Sequence, residues 1–294
     1  MHKFIFHLLF LLLISSCNSS NSSKESFATA IPEIEKNIDL DQYESHVLID
    51  TSGTTVQTRF NPPKGFTRTI EVDNSFSDFL RNFKLKPHGT PVYTYDKSEL
   101  YDYAHIAVLD IDVGNKDLQQ CADAVMRLKA EYHFAKKEFD SIHFNFTNGF
   151  RVDYNKWRDG YRIGSNYKSW HKKYSTDTSY ANFREYMDMI FMFAGTLSLS
   201  RELKPKSIED IAVGDVFIFG GTPGHAVIVV DVCENSETGE RLFMMAQSYM
   251  PAQSVHILQN HENEELSPWY SNRLIGDIIT PLWTFEQTEL MTFD

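Results

Sequence analysis

The chain has 294 residues, 42% of them hydrophobic, which provides for a sizeable core and argues against a disordered protein. Its net charge of −12 argues against nucleic acid as a partner and decides little else, because acidic surfaces mostly serve solubility. Beyond the first residues no stretch is long and apolar enough to cross a bilayer; Ile190 to Leu199 is short and interrupted by Gly195, Thr196 and Ser198.

Met1-His2-Lys3 is weakly basic, and Phe4 to Ile14 is almost unbroken Phe, Leu and Ile. That run is shorter than the about 20 residues of a spanning helix and fits the apolar core of a secretion signal. In Ile14-Ser15-Ser16-Cys17, small residues precede a cysteine, where a peptidase can cleave and a lipid can be attached. The box resembles that of bacterial lipoproteins. It implies lipidation of Cys17, a lipid anchor in a membrane, and a folded part in the cell envelope, facing the periplasm or the surface. Residues 18–30 begin with a Ser/Asn run that has nothing to bury and reads as a tether. The expected organisation is signal and lipobox at 1–17, tether at 18–30, an N-terminal α+β elaboration at 31–104, and an α+β domain at 105–294.

Within the elaboration, Thr55–Arg59 and Phe66–Val72 alternate in the manner of strands, and Ser75 caps a predicted helix reaching Phe83. Pro91–Tyr95 is a short strand. His105–Val113 is a strong strand, followed by a turn at Asn115-Lys116-Asp117. Leu118–Phe134 is the clearest helix, with Cys121, Ala124, Val125, Leu128 and Tyr132 on one face. Ile142–Phe146 is a strand, Trp157–Tyr180 irregular, and Phe183–Leu199 a second, mostly buried helix. The last third is β-rich. Asp215–Phe219 is a strand, Gly220–Gly224 a loop, and Ala226–Val232 and Arg241–Gln247 form a hairpin.

The candidate chemistry lies in this frame. Cys121 falls in the first turn of the clearest helix, where free N–H groups and the helix dipole favour a thiolate, the nucleophilic form. His225 opens a buried strand as a candidate general base. With the hairpin turn centred near Ser236, Gln247 falls beside His225 and could hold the imidazole in one tautomer. Gln119 and Gln120 could offer polar groups to an oxyanion. Asp123 reads as a first-turn charge that stabilises the helix. Two alternatives stay open. Cys121 could be a small buried residue, or it could pair with Cys233 in an oxidising compartment. His225 and Cys233 are roughly 26 Å apart on one strand, so the disulfide and the dyad exclude each other. No His or Cys spacing suggests a metal site, and no cofactor is expected. Trp157, Arg158, Tyr161 and Arg162 form a basic, aromatic cluster suited to acidic glycan, with Tyr249 as a further candidate for substrate contact.

A nucleophile at a helix start, a histidine on a strand and a polar residue on the adjacent strand together resemble papain-like thiol hydrolases. The NlpC/P60, CHAP and transglutaminase-like groups place a Gly-Asp strand before a Gly-His strand, as Gly214-Asp215 precedes Gly224-His225 here. Their Asp-Cys-Ser triplet is replaced by Gln120-Cys121-Ala122. That resemblance covers Leu118 to Gln247 and implies a papain-like core of helix on antiparallel sheet. It also implies a thiol amidase or peptidase acting on peptidoglycan or other envelope peptide. The competing class is a non-catalytic envelope protein that binds glycan or a protein partner; oligomeric state is not legible. Gln120-Cys121-Ala122-Asp123-Ala124, Pro223-Gly224-His225-Ala226, Ala246 to Gln253 and Ser267-Pro268-Trp269-Tyr270 also resemble a bacterial lipoprotein family, domain of unknown function family 4846, whose name implies no activity.

Overall fold

His225–Glu234 is a run of Val, Ile and Ala with every residue up to Cys233 buried, the pattern of a strand covered on both faces. It is the centre of a nine-stranded antiparallel sheet in the computed structural model, which describes residues 47–100 and 103–293. The expected signal segment, Cys17, the expected tether and the first part of the 31–104 segment lie outside the described residues.

The sheet strands are β1 (Thr67–Arg68), β2 (His105–Val108), β3 (Lys204–Pro205), β4 (Val216–Phe219), β5 (His225–Glu234), β6 (Arg241–Gln247), β7 (His256–Leu258), β8 (Tyr270–Ser271) and β9 (Leu290–Thr292). Their spatial order is β2-β7-β6-β5-β4-β9-β3, with β1 added on β5 and β8 on β6. The helices are α1 (Val56–Arg59), α2 (Phe76–Arg81), α3 (Cys121–Ala135), α4 (Tyr154–Arg158), α5 (Tyr180–Phe193) and α6 (Thr196–Glu202). Helices α2 and α3 pack on β5, and α6 packs on β4. The architecture is α+β, with one large antiparallel sheet and a few helices against it.

Local chemistry explains where elements differ from the expected pattern. Thr55–Arg59 is a single helical turn, because Thr55 caps it by accepting from the Thr58 N–H at 3.3 Å. The predicted helix over Phe183–Leu199 is two helices. Ala194 is extended, and Ser198 Oγ accepts from the Gly195 N–H at 2.9 Å, starting α6 afresh. Part of the irregular Trp157–Tyr180 segment is a hairpin pairing Tyr161–Ile163 with Trp170–Lys172. In the β5–β6 hairpin Glu234 faces Arg241, so the turn centres between Glu237 and Thr238 and not at Ser236. Asn235 sets this turn, its Oδ1 accepting from the N–H groups of Glu237 and Thr238. A bulge between Val229 and Asp231 then restores one residue of register, leaving Ile228 opposite Ala246.

The 47–100 stretch is stitched to the same sheet. Thr67 and Arg68 pair with Glu234 and Cys233. Arg68 Nε and Arg81 Nε each contact a carboxylate oxygen of fully buried Asp231 at 2.7 Å.

Candidate functional site

Three anchors place the start of α3. Asp117 Oδ1 accepts from the Ala252 N–H at 2.7 Å. The Gln119 carbonyl receives Ser248 Oγ at 3.0 Å. Gln119 Oε1 accepts from Arg127 Nη1 at 2.9 Å, a buried bond to the next turns of the same helix. Gln120 then caps α3, its N–H donating to Asp123 Oδ2 at 3.0 Å, and Cys121 becomes the first helical residue. The amide of Gln119 also donates to the Asp112 carbonyl and that of Gln120 to Asp117. Both amides are engaged within the protein, and Gln120 also lines the cleft beside Cys121.

Cys121 is 7% exposed. Its sulfur hydrogen-bonds to the Gly224 carbonyl at 4.0 Å, and the Ala226 N–H also acts on it. The thiol therefore rests against the two peptide groups that flank His225. Burial pushes its pKa up to about 11, against the opposing pull of the Ala122 and Ala226 N–H groups. That direction is opposite to the helix-start expectation, because loss of water outweighs the first-turn N–H groups. Cys233 is also a free, buried thiol, so the two cysteines are not bridged.

His225 is 1% exposed, with the rings of Tyr249, Trp283 and Phe285 centred 5.1, 5.5 and 5.7 Å away. Its Nε2 lies 2.8 Å from Gln247 Oε1. Continuing the register past Ile228 and Ala246 sets Gln247 across from Val227, so it reaches His225 diagonally on the shared face. Gln247 Nε2 is in turn 3.2 Å from His256 Nε2, and His256 Nδ1 is 2.9 Å from the Ser254 carbonyl. This chain fixes its own proton positions. A carbonyl only accepts, so His256 carries a proton on Nδ1. The Gln247 amide is placed with its NH₂ toward His256 Nε2 and its Oε1, which only accepts, toward His225. His225 therefore holds its proton on Nε2 and presents a bare Nδ1. Burial lowers the His225 pKa to about 4, with the Gln247 bond opposing, so the ring is neutral near pH 7.

Cys121 opens on a cleft of about 300 Å³ between the start of α3, the Phe191–Thr196 corner and the Gly221–Gly224 loop, with Met250 at its side. His225 does not line it. Gly224 is required there, since a Cβ would strike Thr196 Oγ1, the Gly221 carbonyl and the Phe219 carbonyl. Trp157, Arg158, Tyr161 and Arg162 are not part of this lining. Trp157 is buried, its indole N–H bonded to Asn182, and the Arg162 guanidinium stacks on it at 3.9 Å. Tyr249 is half-buried against His225.

Several neighbours escaped the sequence reading. Asp123 is not a solvent-facing charge. It is 6% exposed, its Oδ1 has no hydrogen-bond partner, and burial raises its pKa well above the usual carboxylate range. The Gly-Asp pair is structural: Asp215 Oδ2 accepts from the Ala212 N–H and pairs with Lys206, both at 2.7 Å. His256 enters by facing Gln247 across β6 and β7. Its available signal was the return of chain at Pro251-Ala252, midway between the two residues.

A family model described as domain of unknown function (4846) matches residues 56–292. The chain belongs to that family. The match spans α1 to β9 and includes Cys121, His225, Gln247 and His256, so the whole constellation lies inside the 4846 domain. No curated protein and no solved structure matches the chain.

Proposed function

We propose that this member of the 4846 family is a cell-envelope lipoprotein, anchored through Cys17, with a papain-like core that hydrolyses amide bonds in peptidoglycan or other envelope peptide. One juxtaposition carries the reading. The Cys121 sulfur rests against the peptide groups on either side of His225, whose Nε2 is held by Gln247 at 2.8 Å. The thiol, once it turns from the Gly224 carbonyl toward the imidazole, attacks the substrate carbonyl carbon while His225 Nδ1 accepts the thiol proton. The same nitrogen passes that proton to the leaving amine, and water then opens the thioester with His225 again as base. Gln247 keeps Nδ1 unprotonated. The first N–H groups of α3 are donors for the developing oxyanion.

The raised thiol and lowered imidazole pKa values, about 11 and about 4, favour a neutral resting pair. They support a second reading, a non-catalytic envelope lipoprotein that binds glycan or a protein partner and packs Cys121 as a small apolar residue. Peptide release from purified peptidoglycan separates the two. Release by the native protein, lost in folded Cys121→Ser and His225→Ala variants, is the expected result. No release, together with alkylation of Cys121 that climbs about tenfold per pH unit as far as pH 11, overturns the hydrolase and leaves the binding protein.

A further inference from the structure

A second cavity lies elsewhere. It measures about 570 Å³, shares no lining residue with the Cys121 cleft, and lies between the C-terminal half of α3, the His143–Asn145 strand, α6 and Phe293. Its α3 wall starts at Lys129, eight residues past Cys121 and roughly 12 Å along the helix. The volume suits a small molecule.

On a chain of net charge −12, this cavity gathers Lys129, His133, His143, Arg151 and Arg201. These groups act on one another: Lys129 disfavours a proton on His133, and Arg151 and His133 disfavour one on His143. Two of the five have internal partners, His133 with Glu138 at 2.9 Å and Arg151 with Asp153 at 2.7 Å. Lys129 makes no ion pair among the described residues. Its ammonium sits over the rings of Phe76 and Phe293, 4.4 and 5.0 Å from their centroids. The Nδ1 of His143 is buried without a hydrogen-bond partner. Two acids also line the space. Asp140 is exposed, and Glu202 spends one oxygen on the Asn145 N–H at 2.8 Å, while burial shifts it toward its neutral form. Formally, Lys129, Arg151 and Arg201 against Asp140 and Glu202 leave one positive charge on the lining. Buried Ala130, Ile142, Phe144 and Leu199 supply an apolar wall beside the cations.

We propose that this cavity is a second binding site, for a small amphipathic anion. A carboxylate or phosphate head pairs with Lys129, His143 and Arg201, and an apolar body lies along Ile142, Phe144 and Leu199. An oxyanion supplies the counter-charge that Lys129 lacks and the hydrogen-bond partner that His143 Nδ1 lacks. The apolar wall selects against a bare inorganic ion.

The test uses the intact protein and isothermal titration with hexanoate, hexyl phosphate, acetate and hexylamine. One or both hexyl anions bind at least tenfold more tightly than acetate, and hexylamine does not bind. Lys129→Met weakens the anion at least tenfold, and Lys129→Arg restores most of the affinity. Exposed Arg201→Gln weakens it independently, which keeps the test valid where the Lys129 variant fails to fold. Hexylamine binding as well as the anions do, no anion binding at millimolar concentration, or affinity unchanged in folded Lys129→Met and in Arg201→Gln overturns the proposal. None of these readouts passes through Cys121.

Discussion

At the scale of single residues, the tautomer of His225 is the most sharply determined feature of the site. It follows from the Gln247 amide, whose Oε1 accepts from His225 Nε2 while its NH₂ faces His256. Nitrogen-15 spectra of labelled protein should show His225 as the Nε2–H tautomer and His256 as Nδ1–H, with His225 neutral down to about pH 4. The sign for stability follows. The folded pKa lies below the unfolded value of about 6.5, so as pH falls from there toward 4 the unfolded chain takes up a proton that the folded site refuses. This site's contribution is fully present above pH 6.5 and is lost across that window, with a slope of at most about 1.4 kcal/mol per pH unit. A His225 already protonated at pH 6, or an Nδ1–H signal, would contradict the chain of bonds. Cys121, His225 and Gln247 were legible because each depends on local pattern: a helix start, a strand mouth and a hairpin. Asp123 and His256 were not. Burial of a first-turn carboxylate is set by distant chain, whereas His256 follows from a short return of chain after Gln247 whose three-residue strand carries almost no periodicity.

At the scale of elements, the cleft depends on how closely the Gly220–Gly224 loop approaches the start of α6. Gly224 sits where a side chain would strike Thr196 Oγ1 and two carbonyl oxygens, and a Cβ on Gly220 would strike Ser200 Oγ. The sequence placed a loop here and left its closeness to a helix unseen, because Phe183–Leu199 reads as one continuous helix. The break at Ala194-Gly195 is what brings Thr196 to the loop, and Thr196 Oγ1 lies 3.3 Å from the Gly221 carbonyl. Two of the three atoms facing the added methyl are backbone and cannot rotate away. Gly224→Ala should therefore lower stability by about 1–3 kcal/mol and displace the carbonyl on which the Cys121 sulfur rests. Urea unfolding measures the first effect, and the alkylation rate of Cys121 at fixed pH measures the second. An unchanged midpoint with an unchanged rate would mean that the loop yields without strain.

At the scale of the whole molecule, the large antiparallel sheet was visible only in its central hairpin. The pairing of β2 with β7, of β9 with β4 and β3, and of β1 with β5 joins segments far apart in sequence, and short strands such as Thr67–Arg68 carry almost no periodicity. What holds the 47–100 stretch to the sheet is partly ionic. Asp231, at the β5 bulge, faces Arg68 and Arg81, and Arg81 further donates to the Thr69 and Val232 carbonyls. Removing the carboxylate alone leaves two guanidinium groups facing each other in a site that is dry on one side. Asp231→Ala should therefore cost about 3–5 kcal/mol, read as a lowered urea midpoint with an unchanged slope. Replacing Arg68 alone should cost less, because that side chain is partly exposed and Arg81 remains to neutralise Asp231. An apolar triple replacement, Asp231→Leu with Arg68→Met and Arg81→Met, removes the three central charges, leaves Glu71 on the rim without its Arg81 partner at 3.3 Å, and should recover part of the loss. Full recovery is not expected, because the Thr69 carbonyl loses the Arg81 donor at 2.7 Å. A triple variant as weak as Asp231→Ala would show that the tie works through its hydrogen bonds to backbone and not through charge pairing. A single variant with native stability would mean that β1 and α2 are held by packing on β5 alone.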